Sequence, residues 1–384
     1  MSRVAIAPAP SYEYSAVYEA VQKCFSLLKP DLQPPQGRVL LKPNMISPKP
    51  PEAGACTHPA VLKAAADFVK KEYGCTDIRA GDSPGGVVGN IQRFWDTLGY
   101  SEAAEEGSFS LVSFETGEME QRTVTIGTRK KEIRIAREVL EADYVINLPK
   151  LKTHSFTLYT GALKNIYGII PGLLKAGYHT EFRHPFAFAS FIAAINSIFR
   201  PDIHIMDAVT CMEGEGPSAG KTRKIGYILA SSDPAALDAT AARIIGVDPE
   251  TIPTIRYAGE LGIGCTDTQA VEYPGIHPDD IQTEPFALPS STRIYTRIPP
   301  FIYRMLYSLF RTRPRMNSNC IVCGKCTRVC PVQAISQEEG SMKVDYSRCI
   351  SCFCCSEMCE YDGIDLNASW LARKLLPGGK ERRQ

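Results

Sequence analysis

The chain lacks most of the features that would assign it quickly to a class. Its 43 Lys and Arg nearly balance 42 Asp and Glu, for a formal net charge of +1, so it has no global charge to draw a nucleic acid partner. No apolar run approaches the ~20 residues of a membrane span. The opening residues Met1–Pro8 lack the apolar stretch of a signal peptide, and a cytoplasmic protein is expected. Residues 1–284 contain no internal repeat and no low-complexity tract. No G-x-G-x-x-G follows a strand-like run, which argues against a dinucleotide site. The stretch Gly214–Thr222 ends like a Walker A loop, but Glu215 stands where its first glycine belongs and a strand-like run follows it. It reads as a glycine-rich loop at a strand's end.

Cysteine is what the chain does have, and it is unevenly placed. Of 14 cysteines, nine lie between Cys320 and Cys359. In a reducing compartment such a cluster signals metal rather than disulfides. Cys320, Cys323, Cys326 and Cys330 are followed by Pro331, and Cys349, Cys352, Cys355 and Cys359 repeat the same C-x2-C-x2-C-x3-C spacing. That is the spacing of bacterial two-cluster ferredoxins. Three thiolates at two-residue intervals on a turning loop can grip three corners of one cubane. The fourth opens a short helix pointing away and serves the other cluster. One 4Fe–4S cluster is therefore expected on Cys320, Cys323, Cys326 and Cys359, and a second on Cys349, Cys352, Cys355 and Cys330. Zinc, the rival, favours paired C-x2-C knuckles and tetrahedral geometry, which this duplicated pattern does not match. Ser336–Asp345, with a Glu339-Gly340 turn, suits a hairpin within the module. Glu360 replaces the proline usual after the last cysteine, and Cys354 is an extra thiol, read as a spare side chain.

Residues 1–284 alternate between strand-like and helix-like segments. Val39–Leu41, Tyr144–Leu148, Ile203–Met206 and Ile225–Ala230 read as buried parallel strands. Pro59 opens a helix that Gly74 stops, and Asp233-Pro234 caps and opens another that Gly246 ends. The expected fold class is α/β: a large domain with a mostly parallel sheet, plus a small α+β ferredoxin-like two-cluster domain. The domain limits follow as 1–284, an Arg-rich linker with an apolar helix at 285–316, the ferredoxin module at 317–367, and a basic tail at 368–384.

Open α/β sheets bind ligands just beyond their strands, and polar residues recur there: Lys42-Pro43-Asn44, Thr57-His58-Pro59, Gly81-Asp82-Ser83, Lys150–His154, Gly161–Asn165, and Asp207 with Glu213. Singly each has a bland reading: His58 as a helix cap, Asp82 as a turn residue. Lys42-Pro43-Asn44, Lys150-Leu151-Lys152-Thr153-His154, Gly161–Asn165 and Asp233–Asp238 resemble the blocks of the family called domain of unknown function 362, over about residues 36–260. Members with an attached two-cluster ferredoxin domain are common. The resemblance implies the domain boundaries and points to residues without naming a reaction.

Two functions compete. In the first, a ferredoxin- or flavodoxin-coupled reductase passes electrons to an anionic small molecule in the α/β cleft. Lys42, Asn44, Lys152, Lys164 and Asn165 bind the substrate, His58 or His154 supplies protons, and Asp207 and Glu213 orient a lysine or hold a cation. In the second, the large domain is a docking platform for a non-catalytic carrier or assembly factor. A weaker variant makes His58, His154, Asp207 and Glu213 ligands of another metal. Between Pro285 and Arg315 the chain has six arginines and no acid. The apolar helix starting at Pro299-Pro300 reads as buried between the domains. A sharper alternative makes segment 293–315 a peripheral membrane contact or a dock for an acidic redox partner.

Overall fold

The computed structural model describes residues 1–85, 89–296, 300–370 and 374. A nine-stranded sheet organises the body, with strands β1 (Ala5–Pro8), β2 (Arg38–Pro43), β3 (Asp77–Asp82) and β4 (Ser110–Ser113). A separate antiparallel hairpin, β5 (Met119–Ile126) and β6 (Arg129–Ala136), precedes β7 (Tyr144–Leu148), β8 (Lys150–His154), β9 (Leu158–Thr160), β10 (Ile203–Glu213) and β11 (Lys221–Ser231). The order is β1-β11-β10-β7-β2-β3-β4, with β8 paired to β10 and β9.

The pairs β10–β7, β7–β2, β2–β3 and β3–β4 are parallel, and helices bury both faces. Val39 and Leu41 enter one apolar layer with helices Tyr14–Leu28 and Pro59–Tyr73, while Leu40 enters the opposite layer with helix Pro185–Ile198. Such two-sided burial requires the near-continuous apolar runs seen in these strands. Ile225–Ala230 corrects the expectation of a parallel strand. It belongs to β11, which is antiparallel to both β1 and β10, because Gly214–Gly220 turns the chain straight back as a hairpin rather than through a crossover.

Lys150–His154 also departs from its sequence reading as a loop beyond a strand. It is itself the buried strand β8. Its polar side chains tolerate burial because they are paired: Lys150 Nζ donates to Asp207 Oδ2 at 2.7 Å, and Lys152 Nζ donates to the Ala55 carbonyl.

The C-terminal module is built twice on one plan, with Cys349 following Cys320 by 29 residues. Strands β12 (Arg313–Met316) and β15 (Ile364–Asn367) pair, as do β13 (Ile335–Glu338) and β14 (Ser341–Val344). Helix Lys325–Val329 in the first half matches Cys354–Glu357 in the second. Left-handed residues recur at matching places: Val322 and Ser351, Gly324 and Phe353, Gln333 and Asp362. Between body and module the chain forms a helix at Pro300–Leu306. Arg297, and the tail from Leu371 onward apart from Lys374, lie outside the described residues.

The module packs against the loops at the sheet's edge. Lys49 Nζ reaches Asp362 Oδ1 at 2.6 Å and the Ser218 carbonyl at 2.7 Å. Phe353 meets Phe156 edge-on with ring centres 6.2 Å apart, and Arg311 Nη2 donates to the Cys349 carbonyl at 2.8 Å.

Candidate functional site between the modules

Beyond the C-terminal ends of β2 and β3 a cavity opens between body and module. The body supplies Asn44, Asp82, His154, Lys164, Asn165, Lys175 and His179, and the module closes it with Cys354, Glu357 and Met358.

Each wall residue is held by its neighbours. Lys42 lies just behind the cavity and donates to Asp82 Oδ1 at 2.9 Å, both side chains being buried. Burial pulls the Lys42 ammonium down, and Asp82 opposes that shift. Gly168 permits the pair to sit there, since a Cβ at that position would come within 1.9 Å of Asp82 Oδ1. Asn44 Nδ2 donates to Asn165 Oδ1 at 2.9 Å, and Asn165 Nδ2 donates to Asn147 Oδ1 at 2.7 Å. The short helix Ala162–Asn165 that carries Lys164 is capped from a distance. Asp238 accepts from the backbone N–H of Ala162 at 2.6 Å and of Leu163 at 3.0 Å. Burial raises Asp238 to about 7 against those bonds. Two sequence blocks, Gly161–Asn165 and Asp233–Asp238, thus form one structural unit.

His154 has a fixed role. Its Nδ1 accepts from Phe156 N at 3.0 Å, so the ring proton belongs on Nε2. Among the described residues the buried Nε2 has no hydrogen bond, and Glu357 Oε1, also without one, lies 3.4 Å away. Burial, then Lys164 and Lys152, hold the imidazole well below its usual range, so it is neutral. Lys152 falls to about 7 and Lys175 to about 8, chiefly through burial. Lys164 is also lowered by burial, with Glu357 and Cys354 opposing, and burial raises Glu357. Lys152 lies outside the cavity lining, bonded to the Ala55 carbonyl, and the cavity itself collects two amines lowered by burial, Lys164 and Lys175, one fixed imidazole N–H donor and one reluctant carboxylate.

The other expected site residues lie elsewhere. Asp207 is buried beneath Tyr12, accepting from Tyr12 Oη at 2.9 Å, Lys150 at 2.7 Å and the His58 backbone N–H at 3.0 Å. The His58 ring stacks on Tyr12 and caps helix Pro59–Tyr73 through Nδ1. Burial brings it down to about 4. Glu213 pairs with Arg223 across the β10–β11 hairpin at 2.9 Å. The sequence alone does not single out Lys175, His179 and Glu357, which the fold brings to the cavity. The only available hint was the i, i+4 spacing of Lys175 and His179 on helix Leu173–Glu181.

In the module, Cys320, Cys323, Cys326, Cys355 and Cys359 line one cavity. Burial raises the Cys326 thiol, with Cys320 and Cys323 adding to it. Cys349 is raised by burial too, and its thiol neighbours are Cys352 and Cys330. Backbone N–H groups of Ala334 and Gly363 point at Cys330 Sγ and Cys359 Sγ, each at 3.2 Å. All the cysteines are free thiols. This soft, thiol-only donor set with N–H groups aimed at sulfur fits an iron–sulfur cofactor.

Residues 39–243 match the family model described as Domain of unknown function (DUF362), and residues 314–360 match a 4Fe-4S dicluster domain. A thylakoid-associated protein of Synechocystis sp. is 31% identical over 292 residues, covering 74% of this chain and 87% of its own length. The pyruvate synthase subunit PorD of Methanocaldococcus jannaschii is 37% identical over 49 residues, 12% of this chain and 57% of its own. Among solved structures, the lactate racemase apoprotein from Thermoanaerobacterium thermosaccharolyticum has a TM-score of 0.43 at 14% identity. That match covers 64% of this chain and 58% of the racemase chain.

Proposed function

The chain belongs to the DUF362 family and carries an iron–sulfur electron-transfer domain, and from this we propose that it is an oxidoreductase delivering single electrons to a small anion held between its two modules. In this reading it carries two 4Fe–4S clusters, on Cys320, Cys323, Cys326 and Cys359 and on Cys349, Cys352, Cys355 and Cys330. Bound there, the clusters would supply low-potential electrons one at a time.

One observation carries the proposal. The cavity lined by Lys164, Lys175 and His154 is closed by Cys354 and Glu357, on the short helix that holds Cys355. An anion in this cavity would lie beside the second set of thiolates. Entry is assigned to the other set, because Cys323 and Ile321 are exposed and a small donor such as ferredoxin or flavodoxin can approach them.

The wall residues divide the work. Lys164 attracts the anion, and His154 Nε2–H donates a hydrogen bond to it. A neutral imidazole already stripped of its Nδ1 proton is a poor proton donor, so His154 orients and polarises. Protons accompanying the electrons come from Lys175 or Lys164, whose burial brings an ammonium closer to neutral pH. Lys42 and Asp82 hold the wall, and Asn44 with Asn165 fix its floor.

The test is anaerobic. Reduced ferredoxin or flavodoxin should bleach the visible absorbance, whereas NADH and NADPH should not. Native mass spectrometry of freshly purified protein should detect a small anion that is absent from Lys164→Met, with the iron content of that variant unchanged. Bleaching by NADH alone would point to a missed nucleotide or flavin site. Protein that retains no anion and does not distinguish Lys164→Met from the parent would favour the docking-platform reading.

A further inference from the structure

The Arg-rich segment between the modules is not used by the electron route. Helix Pro300–Leu306 and the turn Tyr307–Leu309 bury one face, where Tyr303 and then Phe310 pack into the body. The opposite side carries Phe301, Met305 and Leu309, spaced i, i+4 and i+8, exposed by 72%, 75% and 51%. Trp370 is 68% exposed and is held nearby, because Ser369 Oγ donates to the Leu309 carbonyl at 2.7 Å. Four large apolar side chains therefore stand out from one region as separate projections.

Their surroundings are cationic. Between Pro285 and Arg315 there are six arginines and no acid. Arg313 and Arg315 project from the same face of β12 and are exposed. Neither they nor Arg311 has an ion-pair partner among the described residues. Lys374 lies over the Trp370 ring at 5.1 Å.

We propose that this face binds the surface of an anionic lipid bilayer, with Phe301, Met305, Leu309 and Trp370 entering the headgroup layer and Arg313 and Arg315 meeting lipid phosphate. Aromatic and aliphatic projections flanked by unpaired cations are the composition of an interfacial anchor. The excess of arginine along this segment, with Asp365 opposite Arg315 as the acid on the paired strand, favours an anionic surface over a second copy of the same positively charged face, which would repel it. Arg311 bonds the loop of Cys349, so the anchor would set the second half of the module against the bilayer.

The experiment is co-sedimentation of the full, cluster-loaded chain with vesicles of phosphatidylcholine containing phosphatidylglycerol, beside vesicles of phosphatidylcholine alone. The chain should pellet with the anionic vesicles, less with the neutral ones, and release as salt is raised. The double variant Phe301→Asp, Met305→Asp should bind about tenfold or more weakly, with visible spectrum and iron content unchanged as the check on folding. A variant ending at Trp370 should keep part of the binding. The proposal is overturned if anionic vesicles leave the chain in the supernatant, or if the double variant binds like the parent. It also fails if the same substitutions dissociate a dimer of a parent chain that ignores vesicles, since the stripe would then be a self-association face.

Discussion

The two halves of the C-terminal module share one backbone plan but have different surroundings. In the first half Ile321 and Cys323 are exposed. In the second, the matching Ile350 and Cys352 are buried, along with Ser351 and Phe353. The sequence departs from the repeat where the second half meets the body. Lys325 becomes Cys354, Arg328 becomes Glu357 and Pro331 becomes Glu360. Two of these three replacements, Cys354 and Glu357, line the cavity between the modules. A duplicated motif thus has an exposed first cysteine loop and a buried second one, although Lys325, Arg328 and Val329 of the first half also line a groove shared with the body's Asn90 and Arg93.

The strongest test of that asymmetry removes one ligand from each half. Cys323→Ser and Cys330→Ser should each cut iron by about half, and Cys330→Ser should spare the cluster nearest it in sequence. Only Cys330→Ser should also expose the module–body junction to limited proteolysis, because the cluster proposed for it would be shared with the buried Cys352 and Cys355. Cys354→Ser should leave iron nearly unchanged.

Next in size is the wall on the body's side. Lys42→Met would strand the buried Asp82 carboxylate and should cost about 3–5 kcal/mol in denaturant unfolding. Retained stability would mean the wall is wetter than its packing implies.

The pH dependence is smaller. Lys152 gives up its proton at about 7 when folded, against 10.5 for the ordinary side chain. Between those values the unfolded chain binds the additional proton, so stability rises with pH across that window. The gain should be roughly 2 kcal/mol from pH 7 to 9. Lys152→Met should flatten this slope in thermal unfolding, and an unchanged slope would assign it to other groups.

Lys49→Ala should have the smallest effect. It removes the ion pair to the half-exposed Asp362 and the bond from the buried Nζ to the Ser218 carbonyl, and a loss of about 1 kcal/mol is expected. A much larger loss would make that pair, rather than the apolar packing around Phe353, the main fastening.

How legible these regions were from sequence follows the same contrast. The cysteine pattern is local: the reach of one loop sets its spacing, so the 4Fe-4S dicluster domain could be read directly. Strand Tyr144–Leu148 and the caps at Pro59 and Asp233 were readable for the same reason, and the structure has them. The cavity draws on segments scattered from Asn44 to Glu357, and only the fold brings them together. The run Lys150–His154 read as a polar segment beyond a strand, and it is itself a buried strand. Asp207 and the Ala55 carbonyl, which make its burial tolerable, are distant in sequence. His58, Asp207 and Glu213 resembled catalytic groups by type, yet each has its own partners outside the cavity. The linker helix was expected to be buried, and it is on the side of Tyr303, while Phe301 and Met305 face outward.

The central claim is that the second half of the module faces the cavity, and redox potentiometry followed by electron paramagnetic resonance tests it without knowledge of the substrate. Lys164 sits close enough to Cys354 and Glu357 for their charges to act on it, and a nearby cation favours the reduced form of a cluster. Lys164→Met should therefore lower the midpoint potential of the cluster on Cys349, Cys352, Cys355 and Cys330 by roughly tens of millivolts. The cluster on Cys320, Cys323, Cys326 and Cys359 should keep its value. Equal shifts in both clusters, or a shift confined to the exposed one, would contradict the account.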